Sequence, residues 1–140
     1  MNYLVFLDAG AGELEKILSG VKSMLVKEFD PSQSTVQPEG QGETLYFLRD
    51  KNDCDVRVSA TAVRILLVTK KVDEDVARIL KELQPRLQLT EDQYNHWSAK
   101  DHIQLVEFDR AQKISVIHVA TGQLTDRPDW IPFEEFGQFT

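Results

Sequence analysis

The chain has 140 residues, 41% hydrophobic and 28% charged, and 16 Lys and Arg against 23 Asp and Glu leave a net charge of −7. That length fits one core, and the balance excludes disordered and collagen-like chains; the acidity argues against a domain that holds long nucleic acid through its global field. The apolar run Ile65-Leu66-Leu67-Val68 is far shorter than the roughly 20 residues of a membrane span, and the first residues show no basic segment followed by a cleavage site. Cys54 is the single cysteine, so no intramolecular disulfide can form and a reducing, cytoplasmic setting is expected.

Tyr3 to Leu7 is an apolar run suited to a buried strand. After Asp8-Ala9-Gly10-Ala11-Gly12, residues Leu14, Ile17, Leu18 and Val21 recur at helical spacing, which predicts a helix over Glu13 to Ser19 capped by Gly20. Ser23 to Lys27 reads as a second strand, and Pro31 to Gly42, rich in Pro, Ser, Gln and Gly, reads as a surface loop. Thr44 to Leu48 and Val56 to Val68 predict a hairpin turning at Asp50 to Asp53. Within the long strand the apolar set Val56, Val58, Ala60, Ala62 changes parity to Val63, Ile65, Leu67, which requires a bulge or bend.

Asp73 is placed to cap a helix carrying Val76, Ile79, Leu80 and Leu83 on one face, with Pro85 as its limit. Thr90 and Gln93 have capping-box spacing for a further helix bearing Tyr94 and Trp97. Strands resume at Ile103 to Phe108 and Ile114 to Val119. Residues 120–140, with Trp130, Phe133, Phe136 and Phe139, predict an irregular tail packed on the body of a single domain. The order β-α-β-β-β-α-α-β-β predicts an α+β domain built on a small mixed β-barrel.

Gly10-Ala11-Gly12 sits between a strand and a helix, as in a dinucleotide-binding turn, but the third glycine position is Glu15, and Asp8, Glu13 and Glu15 would repel a pyrophosphate. His96, His102 and His118 have no zinc-like spacing with Cys54, and Asp53 and Asp55 beside that thiol oppose its ionisation. No metal and no cofactor is expected. The cations carry more. Lys22 and Lys27 flank the second strand, while Arg57, Arg64, Lys70 and Lys71 lie on or near the long one, so a local phosphate-contacting patch is compatible with the acidic total. A solvated face explains the same residues. Tyr94 and Trp97 read as packing aromatics before they read as base-stacking ones.

The string Leu14 to Ser23 followed by the strand to Lys27 resembles the helix-glycine-lysine-strand signature of ASCH domains, in the PUA-like superfamily. Gly42 to Phe47 is similar to that family's glycine-acid strand entry. Leu87 to Tyr94 with Trp97, Lys100 and Ile103 to Phe108, together with Asp129-Trp130-Ile131-Pro132, resembles a bacterial ASCH-like subgroup. The resemblance implies a PUA-like β-barrel with a cleft beside the first helix, in a superfamily associated with RNA binding and with RNA or nucleoside modification. It places Lys22 at the family's lysine, Ser23 at the Thr or Ser after it, and Lys27 where Arg is common. A related branch of amidohydrolases acting on acetylated cytidine uses a lysine, a threonine three residues later and a glutamate. Here that threonine position is Leu25, which has no hydroxyl, and no glutamate aligns.

The leading expectation is a non-catalytic module binding RNA, a nucleotide or a modified nucleoside, with Lys22, Ser23, Lys27, Arg57 and Arg64 as ligand-binding candidates. The alternatives are a small nucleoside amidohydrolase with Lys22 and Ser23 as catalytic candidates, and an interaction domain that uses the aromatic tail for a protein partner or a second copy.

Overall fold

The computed structural model describes residues 2–28, 42–50, 53–69, 76–119 and 130–134. The expectations for the Pro31 loop, the Asp73 cap, Lys70, Lys71 and most of the tail lie outside the described residues. The chain runs through β1 (Asn2–Phe6), a short 3-10 turn (Ala9–Ala11), α1 (Glu13–Leu18), β2 (Met24–Glu28), β3 (Thr44–Leu48) and β4 (Asp55–Thr69). It continues through α2 (Val76–Glu82), α3 (Gln84–Leu87), α4 (Glu91–Ser98), β5 (His102–His118) and β6 (Trp130–Phe133).

The six strands form one mixed sheet in the order β2-β5-β4-β3-β1-β6. The β1–β3 pair is parallel and the other pairs are antiparallel. The α+β class is therefore as expected. The closed barrel is not: β1 already has β3 on one edge and β6 on the other, so no main-chain edge of β1 is open to β2. The sheet nevertheless curls until β1 and β2 share a core. A side chain bridges them, since Lys27 Nζ of β2 donates to the Phe6 carbonyl at 2.6 Å.

Apolar side chains separate into three clusters. The largest gathers Tyr3, Val5, Leu25, Leu45, Phe47, Val58, Ala60, Val106 and Phe108 against Leu14 and Ile17 of α1. A second places Met24, Val26, Ile103 and Leu105 under Val76, Leu80 and Leu87 of the helices. A third joins Leu4, Phe6, Leu48, Val56, Val119 and Phe133. Phe133 is thus an internal residue, and residues 130–133 form a strand where an irregular tail was expected.

The parity change in β4 is real and has a purpose. Register shifts fall between Val56 and Val58, Ser59 and Thr61, and Ala62 and Arg64. Past the last of them Ile65 packs on the first cluster while Leu66 and Val68 pack on the second, so one strand serves both sides of the sheet. The two strands expected from Ile103 to Val119 are a single 17-residue strand. The polar stretch Asp109 to Lys113 does not turn the chain, because β4 supplies hydrogen-bond partners across it. In α1 the core stripe is narrower than its spacing predicts: Leu14 and Ile17 are buried, but Leu18 and Val21 are exposed. The helix ends at Leu18, and Gly20, at φ 83°, takes the left-handed turn that glycine adopts without strain.

Candidate functional site

Gly12 precedes α1 with φ 66° and has no side chain to cap the helix. Glu13 reaches back instead, and its Oε1 accepts the Asp8 N–H at 2.8 Å. Its second oxygen, Oε2, lies 3.2 Å from Lys22 Nζ. The turn at Gly20 returns the chain along the helix, where the Val21 and Lys22 amides donate to the Lys16 carbonyl. Lys22 is 1% exposed, and its ammonium also donates to the Leu87 carbonyl. Lys16 Nζ donates to the next carbonyl, Gln88, at 2.9 Å, so two lysines fasten α1 to the end of α3. Burial lowers the Lys22 pKa from its ordinary value, opposed by the Glu13 carboxylate and reinforced by the charges of Lys16 and Lys27.

In front of Glu13 lies a cleft of about 810 Å³, lined by the end of β1, the 3-10 turn, the end of β2 and α4. Such a volume suits a ligand of nucleoside or nucleotide size. The Thr90–Gln93 capping box fixes α4: the Gln93 N–H donates to Thr90 Oγ1 at 3.2 Å and the Thr90 N–H donates to Gln93 Oε1 at 3.1 Å. This leaves Gln93 Nε2 directed at Asp8 Oδ2, 3.5 Å away. One turn on, the rings of His96 and Trp97 meet edge to face at 4.8 Å in the cleft lining. Trp97 also packs on the second cluster, and Tyr94 donates its hydroxyl to the Ala77 carbonyl at 3.1 Å, so packing holds both aromatics as expected.

The cleft combines a 6% exposed lysine, Lys27, with aromatic edges, one amide and the carboxylates Asp8, Glu13, Asp50 and Asp92. That chemistry can hold a flat polar ring, with hydrogen bonds to its donors and acceptors. Several fixed phosphates would meet repulsion from the carboxylates.

Of the residues anticipated from sequence, Lys27 lines this cleft and Lys22 stands behind it, separated from it by Glu13. Ser23 is half-buried; its N–H donates to the Arg86 carbonyl and its carbonyl accepts the Phe108 N–H, both at 3.0 Å. Arg57 pairs with Asp53 at 3.6 Å and Asp55 at 3.3 Å. Arg64 lies 2.8 Å from Glu107, which also meets Arg86 at 3.4 Å. Neither arginine lines the cleft. Sequence reasoning missed Glu13, Asp8 and Gln93 as site residues. Glu13 had a readable signal, since it lies four residues before Ile17 and therefore on the core side of α1. Among the described residues no group of three or more His, Cys, Asp or Glu side chains is arranged to hold a metal ion. None of their helices is long and apolar enough to cross a membrane.

No family model matches the sequence, and no curated protein matches it. Solved structures do. The ASCH protein from Zymomonas mobilis superposes with a TM-score of 0.66 at 13% identity, over 96% of this chain and 88% of that one. A serine-to-alanine variant of that protein gives 0.69 at 15% identity, over 98% and 91%. A tyrosine-to-phenylalanine variant gives 0.66 at 12% identity, over 98% and 93%. At such identities the likeness establishes the fold: the chain has an ASCH-like fold along nearly its whole length.

Proposed function

We propose that this ASCH-like domain is a binding module whose cleft beside α1 takes a nucleoside, a nucleotide or an unpaired base of an RNA strand. The observation that carries the reading is the cleft itself. It is nucleoside-sized, walled by His96 and Trp97, and is lined by both the buried Lys27 and Gln93. The carboxylates Asp8, Asp50 and Asp92 favour the base and sugar of such a ligand over a run of phosphates. In this reading Lys27 contacts the ligand and Lys22 positions Glu13, whereas Ser23, Arg57 and Arg64 lie outside the contact set.

Ligand-observed NMR with nucleosides, nucleotides, short RNAs and acetylated cytidine tests the reading. Binding to wild-type protein should depend weakly on salt and should be lost in Lys27→Met, which keeps the side-chain stem, and weakened in the exposed His96→Ala. Binding that is absent throughout, or unchanged in both variants, refutes it.

The amidohydrolase reading gains one observation: a buried carboxylate and a buried lysine with lowered pKa stand together at the cleft. Ligand converted to product in the same NMR tubes, with conversion abolished in Glu13→Gln, would replace the binding reading with this one.

A further inference from the structure

The face of the sheet formed by β3, β4 and β5 carries a groove of about 800 Å³, separate in its lining from the cleft beside α1. Its floor follows from strand register. Tyr46 stands opposite Ser59, and Ser59 opposite Gln112, so one row of hydrogen-bonding side chains crosses three strands. Thr61 and Ser115 extend the row, and no aspartate or glutamate lines the groove. Asp109 pairs with Thr61 at one end and is not part of the lining.

The groove is bordered by a bulge. Between Ser59 and Thr61, β4 advances two residues while β5 advances three, from Asp109 to Gln112, and Arg110 lies in the excess. Its φ is 55°, in the left-handed region that L residues other than Asn, Asp and Gly rarely enter. A bulge of this type re-aims side chains, and a bulky residue kept there at a conformational cost calls for an explanation.

Charge pairing sharpens it. Among the described residues Arg49, Arg57, Arg64, Arg78 and Arg86 each face a carboxylate at 2.8 to 3.9 Å. Arg110 meets no carboxylate among the described residues, although the chain carries seven more acids than bases. A guanidinium that lines one groove together with hydroxyls and an amide, with carboxylates kept out of the lining, is a donor set for an oxyanion.

We propose that this groove binds a phosphoryl oxyanion, with Arg110 as its cation and Ser59, Thr61 and Gln112 as neutral donors. The site does not depend on the cleft beside α1. It offers an anion what that cleft's carboxylates deny it.

The test is an amide-resolved NMR titration of the full chain with sodium phosphate, at constant ionic strength with chloride as control, and separately with a single-stranded hexanucleotide RNA. Saturable shifts at residues 59–61 and 110–115 are expected in at least one arm, independent of any shift that RNA produces at residues 89–97 of the cleft. Shifts with inorganic phosphate identify a free phosphate or monoester as the ligand, and shifts with RNA alone identify a backbone diester. Arg110→Gln should weaken binding about tenfold or more, the scale of one charge-assisted contact. Arg57→Gln, which alters an exposed arginine outside the groove, should leave binding unchanged. Arg110→Gly, which relieves the left-handed strain, should fold at least as stably as wild type and still lose binding, separating recognition from folding. Shifts that fail to saturate in both arms, that move only residues 89–97 of the cleft, or that persist at residues 59–61 and 110–115 in Arg110→Gln overturn the proposal.

Discussion

The Glu13–Lys22 pair makes the sharpest prediction about what holds the site together. At 3.2 Å, with an effective dielectric constant of ~20, the attraction is about 5 kcal/mol before desolvation is counted. Both partners are nearly inaccessible, Glu13 at 7% and Lys22 at 1%, so desolvation offsets most of that gain. Removing one partner is a different matter. Lys22→Met leaves a buried carboxylate with the Asp8 amide as its remaining hydrogen-bond donor among the described residues, and Glu13→Gln leaves a buried ammonium held by the Leu87 carbonyl. Each single substitution should destabilise the fold by about 3–5 kcal/mol. The double variant should lie within about 2 kcal/mol of wild type, because no buried charge is then left unpaired. Urea denaturation of all four proteins measures the cycle. Single effects that add to within about 0.5 kcal/mol in the double variant would refute the account, since independent sites behave that way.

Two further expectations follow from neighbouring features. Thr90→Ala removes the acceptor for the Gln93 amide and should destabilise the protein by about 1 kcal/mol; it should also weaken ligand binding in the cleft, because Gln93 loses its anchor. Thermal melts and the NMR assay check both effects, and a variant with wild-type stability would show that the capping box contributes little. The lowered pKa of Lys22 predicts a pH dependence. Between that lowered value and 10.5 the unfolded chain binds more protons at this residue than the native one, so its contribution to stability rises with pH across the window. Stability measured relative to the Glu13→Gln/Lys22→Met double variant should increase as pH rises toward 10.5, and a flat or falling difference would contradict the burial of a charged Lys22.

Local patterns were legible where one short-range rule dominated. The apolar run at Tyr3, the glycine after α1 and the Thr90–Gln93 spacing each specify their own structure within a few residues, and the structure follows them. The parity change in β4 was also readable, because a strand cannot present both Ala62 and Ile65 to the same core without a bulge. What escaped depends on residues far apart. Asp109 to Lys113 has the composition of a turn, and only the opposite edge of β4 keeps it extended. Closure of the sheet was misjudged because β6 occupies the edge of β1 that a barrel would need, and that pairing is invisible to periodicity. The site divides in the same way. Lys27 and Lys22 stand out as cations beside a strand, but their different roles arise from Glu13 and Leu87, nine and 65 residues from Lys22.

The strand order also sets a timetable for synthesis. Among the described strands β2 pairs only with β5, which ends about 90 residues later in the chain. At ~5–20 residues per second, β2 leaves the ribosome on the order of 5–18 s before its partner strand is complete. Throughout that interval the apolar stretch Met24-Leu25-Val26 has neither its ladder partner nor the helices that cover its outer side. Lys27 and Glu28, the charged end of the strand, are then placed as gatekeepers against pairing with the wrong edge. The lysine that lines the ligand cleft in the finished protein would thus protect the nascent chain first.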